Sequence, residues 1–372
     1  MNSFKNFFIN VNLSIWAIII ALISIELTTR LVLDNKHPSG FTYQLKDEDH
    51  VPKPYVMATA SPSVKYGNDT NNILGYRDFP KVHKNEDEFR IITLGGSTVH
   101  GGDVTLAKNI ELQLSKEGYT NVKVYNAGVG SSVSRQDLIR IMFDFAGYQP
   151  DLIIHYLGGN DLMPAADPRI NYPHRFVFYE GGIKFLTSAS FESFIFSILV
   201  NSKFVKYFFD DFITQKIYER SNIILPPSTD QPKLRANSLA QNTLWSKLVS
   251  EHIGANYLTV FQPTLYYKGR LSDTEKSMIH SEETKKQLAL RKYFFESKFL
   301  KNINILDCSS VFDNYSETIY TDPIHLIERF RAVPAHCITN YILKNKTLKK
   351  HKKSKYHFIP EEYFILGYPK TY

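Results

Sequence analysis

Ser97 follows an apolar, β-branched run, Phe89-Arg90-Ile91-Ile92-Thr93-Leu94, and the glycine pair Gly95-Gly96. A serine hydroxyl is a poor nucleophile at neutral pH unless an adjacent base takes its proton. His325 is a base of that kind, and Asp322, three residues earlier, can fix its tautomer and orientation from the same turn. Attack on an ester produces a tetrahedral oxyanion, which needs donors already in place. The candidate donors are the N–H groups of Ser97 and Gly128 and the side-chain NH2 of Asn160. The chemistry written by these residue types is acyl transfer through a serine. Taken alone, the Gly-Gly-Ser turn reads equally well as a helix start capped by Ser97.

The elements around these residues must bring them together. Strands are expected at Phe89–Leu94, Val122–Tyr125, Asp151–Leu157, Tyr257–Phe261 and Asn304–Asp307. Helices are expected at Leu106–Glu117, Ser134–Gly147, Leu234–Ile253, Glu282–Leu300 and Leu326–Leu343. Leu138, Ile139, Ile141, Met142 and Phe145 are expected on the inner face of the second helix. Such alternation predicts a parallel, doubly wound sheet, and each chemical feature falls at or after the carboxyl end of a strand, on the rim where open α/β sheets bind ligands. Residues 162–234 interrupt the rhythm with aromatic, Pro-punctuated sequence and a helical patch over Phe191–Tyr218. That insertion reads either as a lid or substrate wall or as plain packing.

The first segment, Phe7–Leu27, is the most apolar of the chain, and its length suits the ~20 residues that cross a bilayer core. No small-x-small cleavage site follows it, so an uncleaved signal-anchor is expected over 1–33. Residues 34–88, with little periodicity, are expected to form a stalk and lead-in to a domain over 89–343. The net charge of +7 comes from a tail, 344–372, in which Lys344, Lys346, Lys349, Lys350, Lys352, Lys353 and Lys355 carry it without an acid between them. The rest is near neutral, which removes the ground for expecting nucleic-acid binding. Two cysteines, Cys308 and Cys337, are too few for a disulfide scaffold or a zinc site. They are either a pair in an oxidising compartment or two buried thiols. No metal and no cofactor is expected.

Four blocks carry a resemblance: Gly95-Gly96-Ser97-Thr98, Asn126-Ala127-Gly128, Gly158-Gly159-Asn160-Asp161 and Asp322-Pro323-Ile324-His325. In this order they resemble the SGNH (GDSL-type) hydrolase superfamily, with Gly96 in place of the usual Asp before the serine. The resemblance implies a three-layer α/β/α, flavodoxin-like parallel sheet. It implies Ser97 as nucleophile, His325 as base, Asp322 as its partner, and an oxyanion hole from Ser97, Gly128 and Asn160. Where relatives commonly carry a glycine shortly after the histidine, this chain has Glu328-Arg329-Phe330.

The anchor, the motif Asn72-x-x-Gly75-Tyr76-Arg77 and Gln262-Pro263 resemble a narrower group, membrane-anchored bacterial proteins associated with surface-polysaccharide modification. That implies a single-pass protein of the cytoplasmic (inner) membrane with a periplasmic or extracytoplasmic catalytic domain. Its substrate would be an acylated glycan, and a polysaccharide-assembly or acyl-donor membrane protein its partner. The expected reaction is removal of an O-acetyl group. An O-acetyltransferase with the same triad, a lipid esterase, and a non-catalytic glycan-binding or assembly protein are the alternatives. Arg77 and Gln262 are candidate substrate contacts, with Arg77 equally able to pin the lead-in to the domain. His100 is expected at a helix start or on the surface, His155 in the core, and Asp161 as a brace for Asn160.

Overall fold

The computed structural model describes residues 2–32, 50–53, 56–61, 65–66, 69–72, 74–78, 84–162, 186, 188–200, 202–220 and 231–348. Residues 34–49 of the stalk and lead-in expected over 34–88, and the lysines from 349 onward, lie outside the described residues. Contacts divide the chain into two units, Met1–Asp47 with Phe176–Ile224, and Glu48–Arg175 with Leu225–Tyr372.

The first unit holds α1, Asn2–Val32, of which Asn10–Val32 is long and apolar enough to cross a membrane. That span begins and ends later than the expected Phe7–Leu27. The helical patch of the insertion comprises Phe191–Leu199 and Lys203–Arg220, the latter broken by a kink at Phe209, where the backbone leaves helical geometry.

The second unit opens with two small antiparallel pairs, β1 (His50–Lys53) with β2 (Met57–Ala60) and β3 (Lys65–Tyr66) with β4 (Asp69–Thr70). Both pairs fall in the segment expected as stalk and lead-in. The main sheet contains β5 (Phe89–Gly95), β6 (Val122–Asn126), β7 (Leu152–Leu157), β8 (Asn256–Phe261) and β9 (Ile305–Asp307), in the order β6-β5-β7-β8-β9. Every neighbouring pair is parallel. This is the flavodoxin-like order, with its topological switch point between the first and third strands of the sheet.

Every residue of β5 and β7 is buried, as expected of central parallel strands covered on both faces. Alternate residues face opposite layers. Phe89, Ile91, Leu152, Ile154, Leu258 and Val260 pack with Leu106, Ile110, Leu114, Ile338 and Ile342 from the helices Leu106–Lys116 and Ala332–Lys344. Ile92, Leu94, Ile153 and Tyr257 pack on the other side with Ile141 and Phe145. Phe261 and Leu157 extend that second side toward Ala236 and Leu239 of the helix Gln231–His252, and toward Leu290 and Phe294 of Ser281–Phe295. The three layers follow from this alternation.

Two elements depart from expectation. The closing helix begins at Ala332 rather than Leu326, because a single 3-10 turn, Glu328–Phe330, comes first. The helix expected over Ser134–Gly147 is α-helical only over Ser134–Arg140, then passes through a π turn at Ile141–Phe145. Its buried face there is polar: Ser134, Gln136, Asp137 and Arg140 are buried, whereas Met142 is exposed.

Candidate active site

Ser97 begins the short helical turn Ser97–His100 directly after β5. As its first residue it has no intrahelical acceptor for its N–H. Its Oγ lies 2.7 Å from His325 Nε2, and His325 Nδ1 lies 2.6 Å from Asp322 Oδ2. The other carboxylate oxygen, Asp322 Oδ1, accepts the N–H groups of Ile324 and His325, each at 2.8 Å. Burial pushes the Asp322 carboxyl upward, but the bonds from the His325 ring and these two N–H groups outweigh it and hold it at about 2. An ionised Asp322 orders Nδ1 as the protonated ring nitrogen, which leaves Nε2 free to accept the serine proton.

The turn that carries this pair is braced from beneath. The side chains of Lys268 and Glu275 are fully buried and paired, and Glu275 Oε1 accepts the Ile319 N–H at 2.9 Å. A disulfide joins Cys308, just after β9, to Cys337 in the closing helix, so Asp322 and His325 lie within the closed loop. Glu275 was invisible as a functional residue in the sequence; only its Ser272-x-x-Glu275 capping spacing marked it.

Asn160 and Gly128 come to the same rim with different outcomes. Asn160 Nδ2 donates to the Ser132 carbonyl at 2.8 Å. A Cβ on Gly96 would sit 2.3 Å from that nitrogen, so the missing side chain is what lets the amide lie beside Ser97. One N–H of the Asn160 carboxamide remains for a ligand. The Gly128 N–H, by contrast, donates to Asn126 Oδ1 at 2.9 Å. It is spent inside the protein, and the expected oxyanion role for Gly128 is corrected accordingly. Gly128 instead permits close packing, since a Cβ there would meet His100 N at 2.5 Å.

Gln262 follows β8 and is almost fully buried. Thr98 Oγ1 donates to its Oε1 at 3.1 Å, while its Nε2 has no partner among the described residues. The same nitrogen would be 2.5 Å from a Cβ on Gly159. Gln262 lines, with Ser97, Thr98, Ser132, Asn160 and Ile324, an open depression beside the nucleophile candidate. An orphaned buried donor at a pocket wall costs free energy that a ligand oxygen can recover.

Arg77 does not face this depression. It is buried and donates to the carbonyls of Gly102 at 2.5 Å and His100 at 3.4 Å. The candidate substrate contact is thus corrected to a clamp on the loop after Ser97. The rest of its motif does similar work: Asn72 Oδ1 accepts the Leu74 and Tyr76 N–H groups, and Tyr76 OH bonds Asp144. His100 is buried rather than on the surface.

A buried network that sequence reasoning missed lies under Ser132. Asp137 accepts from Ser132 Oγ at 2.5 Å and pairs with Arg140. His155 Nε2 lies 3.0 Å from Asp137 Oδ2, and its Nδ1 lies 2.7 Å from Tyr257 OH. Burial holds His155 down at about 4. Neutral His155 donates to Asp137 and accepts from Tyr257, while Arg140 Nε has no hydrogen-bond partner among the described residues. Asp161 braces the same loop, accepting from the Ser134 N–H and hydroxyl at 3.0 and 2.6 Å. Among the described residues no cluster of His, Cys, Asp and Glu is arranged to hold a metal.

No family model and no curated protein matches the chain. Solved structures do. A GDSL-like lipase from Bacteroides thetaiotaomicron is 11% identical, with 70% of this chain and 91% of that one covered and a TM-score of 0.35. The acetyl xylan esterase AlAXEase is 14% identical, with 68% and 99% covered and a TM-score of 0.38. An acetylxylan esterase from Geobacillus stearothermophilus is 10% identical, with 68% and 93% covered and a TM-score of 0.38. The resemblance is one of shape. The chemistry rests on the chain's own residues.

Proposed function

We propose that the protein is an SGNH-type serine esterase that removes a short acyl group, an acetyl, from a glycan. The observation that carries this reading is the unbroken series Ser97 Oγ, His325 Nε2, His325 Nδ1 and Asp322 Oδ2, at 2.7 and 2.6 Å. In the reaction, Ser97 Oγ attacks the ester carbonyl while its proton passes to His325 Nε2. The oxyanion accepts from the Ser97 N–H and the remaining Asn160 N–H. His325 then returns the proton to the departing sugar oxygen. Water, deprotonated by His325, releases the acid and restores Ser97.

A sugar hydroxyl in place of water would make the same acyl-enzyme a transferase, which is the second reading. We further propose that α1 anchors the chain in the cytoplasmic membrane with the catalytic unit outside. The disulfide Cys308–Cys337 supports that side, because such bonds persist in oxidising compartments.

The test is acyl release by the full chain in detergent from aryl acetate, butyrate and octanoate. Activity on acetate that falls with chain length and is lost in Ser97→Ala agrees with the proposal. Preference for octanoate would favour a lipid esterase, and acetate release that requires an added glycan would favour the transferase. Failure to turn over any ester would return the chain to a binding or assembly role.

A further inference from the structure

The helices of the insertion carry an apolar surface that nothing in the described protein covers. In Phe191–Leu199, Phe191, Phe194, Ile195 and Ile198 recur at helical spacing, the pattern of a buried stripe. Yet Phe191 is 79% exposed, Phe194 59% and Ile198 53%. In Lys203–Arg220, Tyr207, Phe208, Phe209 and Phe212 are also exposed. The opposite faces already have their own core, in which Val200 and Ile213 pack with Phe196, Leu199 and Val205. The exposed stripe is thus a second apolar face, not a misplaced first one.

The position of these helices on α1 says what covers that face. Glu26, inside the apolar span, caps the second helix: it accepts from Ser202 Oγ at 2.6 Å, Lys203 N at 2.8 Å and Phe204 N at 3.1 Å. A carboxylate there meets the unpaired N–H groups and the positive end of the helix. Arg30, one turn on, pairs with it at 2.7 Å. A charge within a span needs a named partner, and here the partner is a helix end. Glu26 stands 16 residues after Asn10, the start of the span, or about 24 Å along a helix rising ~1.5 Å per residue. That depth is near the far boundary of a ~30 Å hydrocarbon core. The attached helices therefore meet the bilayer where its acyl chains give way to headgroups, the level that aromatic side chains prefer.

We infer that Phe191–Leu199 and Lys203–Arg220 form a hairpin embedded in the leaflet at the C-terminal end of α1, with lipid acyl chains against Phe191, Phe194, Ile198, Phe208 and Phe212. The inference rests on α1 crossing the membrane, and Trp16 in α1 allows the two to be tested apart. The full chain is reconstituted in phosphatidylcholine vesicles containing a lipid brominated along its acyl chain. One version carries Trp245→Phe, leaving Trp16 as the sole tryptophan. A second carries Trp16→Phe, Trp245→Phe and Phe194→Trp, and a third replaces the last change by Phe212→Trp.

The expected result is loss of emission from all three on adding brominated lipid, with shallow bromines more effective than deep ones for the second and third. Quenching of Trp16 without quenching at positions 194 and 212 would overturn the inference and leave the anchor standing. No quenching in any version would overturn both. Quenching at 194 and 212 without Trp16 would remove the span and with it the placement of the hairpin at the C-terminal end of α1, and so overturn the inference.

Discussion

Asn160 donates one carboxamide N–H to the Ser132 carbonyl at 2.8 Å, while Ser132 Oγ is itself held by Asp137 at 2.5 Å. The amide beside Ser97 is therefore aimed by a loop that a buried ion pair, Asp137 with Arg140, holds from below. Preorganised donors of this kind act on the transition state without reorganising as charge develops.

Removing the donor tests that relationship. Asn160→Ala should lower kcat on an acetyl ester by about 10²–10³ with little change in KM. Asn160→Asp should be at least as damaging, since an ionised carboxylate accepts and cannot donate. Steady-state kinetics of both variants, with circular dichroism to verify the fold, checks this.

Gln262 makes a different prediction. Its Oε1 is engaged by Thr98 and its Nε2 is unpartnered among the described residues, so Gln262→Met removes the donor without adding a charge. KM should rise about 2- to 10-fold with kcat retained, the net worth of one hydrogen bond. An unchanged KM would mean that Nε2 does not touch substrate.

The disulfide closes the loop that carries Asp322 and His325. Joint Cys308→Ser and Cys337→Ser should lower stability by about 3.6 kcal/mol, the loop-closure entropy for a separation of 29 residues. Urea denaturation of the oxidised protein, the reduced protein and the variant measures it. The reduced wild type and the variant should agree.

Much of the site was legible because its residues follow strands. Ser97 and Asn160 stand just after fully buried apolar runs, and the Asp322–His325 spacing fits one turn. Gly128 was misread because the acceptor that takes its N–H, Asn126 Oδ1, is a side chain two residues away, and no pattern of residue types shows a hydrogen bond already made. Arg77 was ambiguous for a like reason, as its acceptors are backbone carbonyls. The network around Asp137 escaped notice because periodicity assigns apolar residues to the inner face, and here the inner face of Ser134–Arg140 is polar. The pair Lys268–Glu275 crosses between segments whose adjacency only the fold establishes.

That polar network gives a pH dependence. Burial depresses His155 to about 4, from an ordinary value of 6.5. The unfolded chain takes up the proton first, so the stability present above pH 6.5 is lost progressively as pH falls toward 4. The loss from this group should be on the order of 2–3 kcal/mol. Denaturation midpoints measured across that range should fall with pH in the wild type, and His155→Gln, which does not titrate, should flatten the slope.

Covalent labelling tests directly whether Ser97, activated by His325, is the nucleophile. The full chain is treated with a serine-directed fluorophosphonate, and the modified peptide is identified by mass spectrometry. One adduct is expected, on Ser97, absent in Ser97→Ala and slowed by about 10³ or more in His325→Ala. An adduct on a different serine, or labelling undiminished in Ser97→Ala, would contradict it.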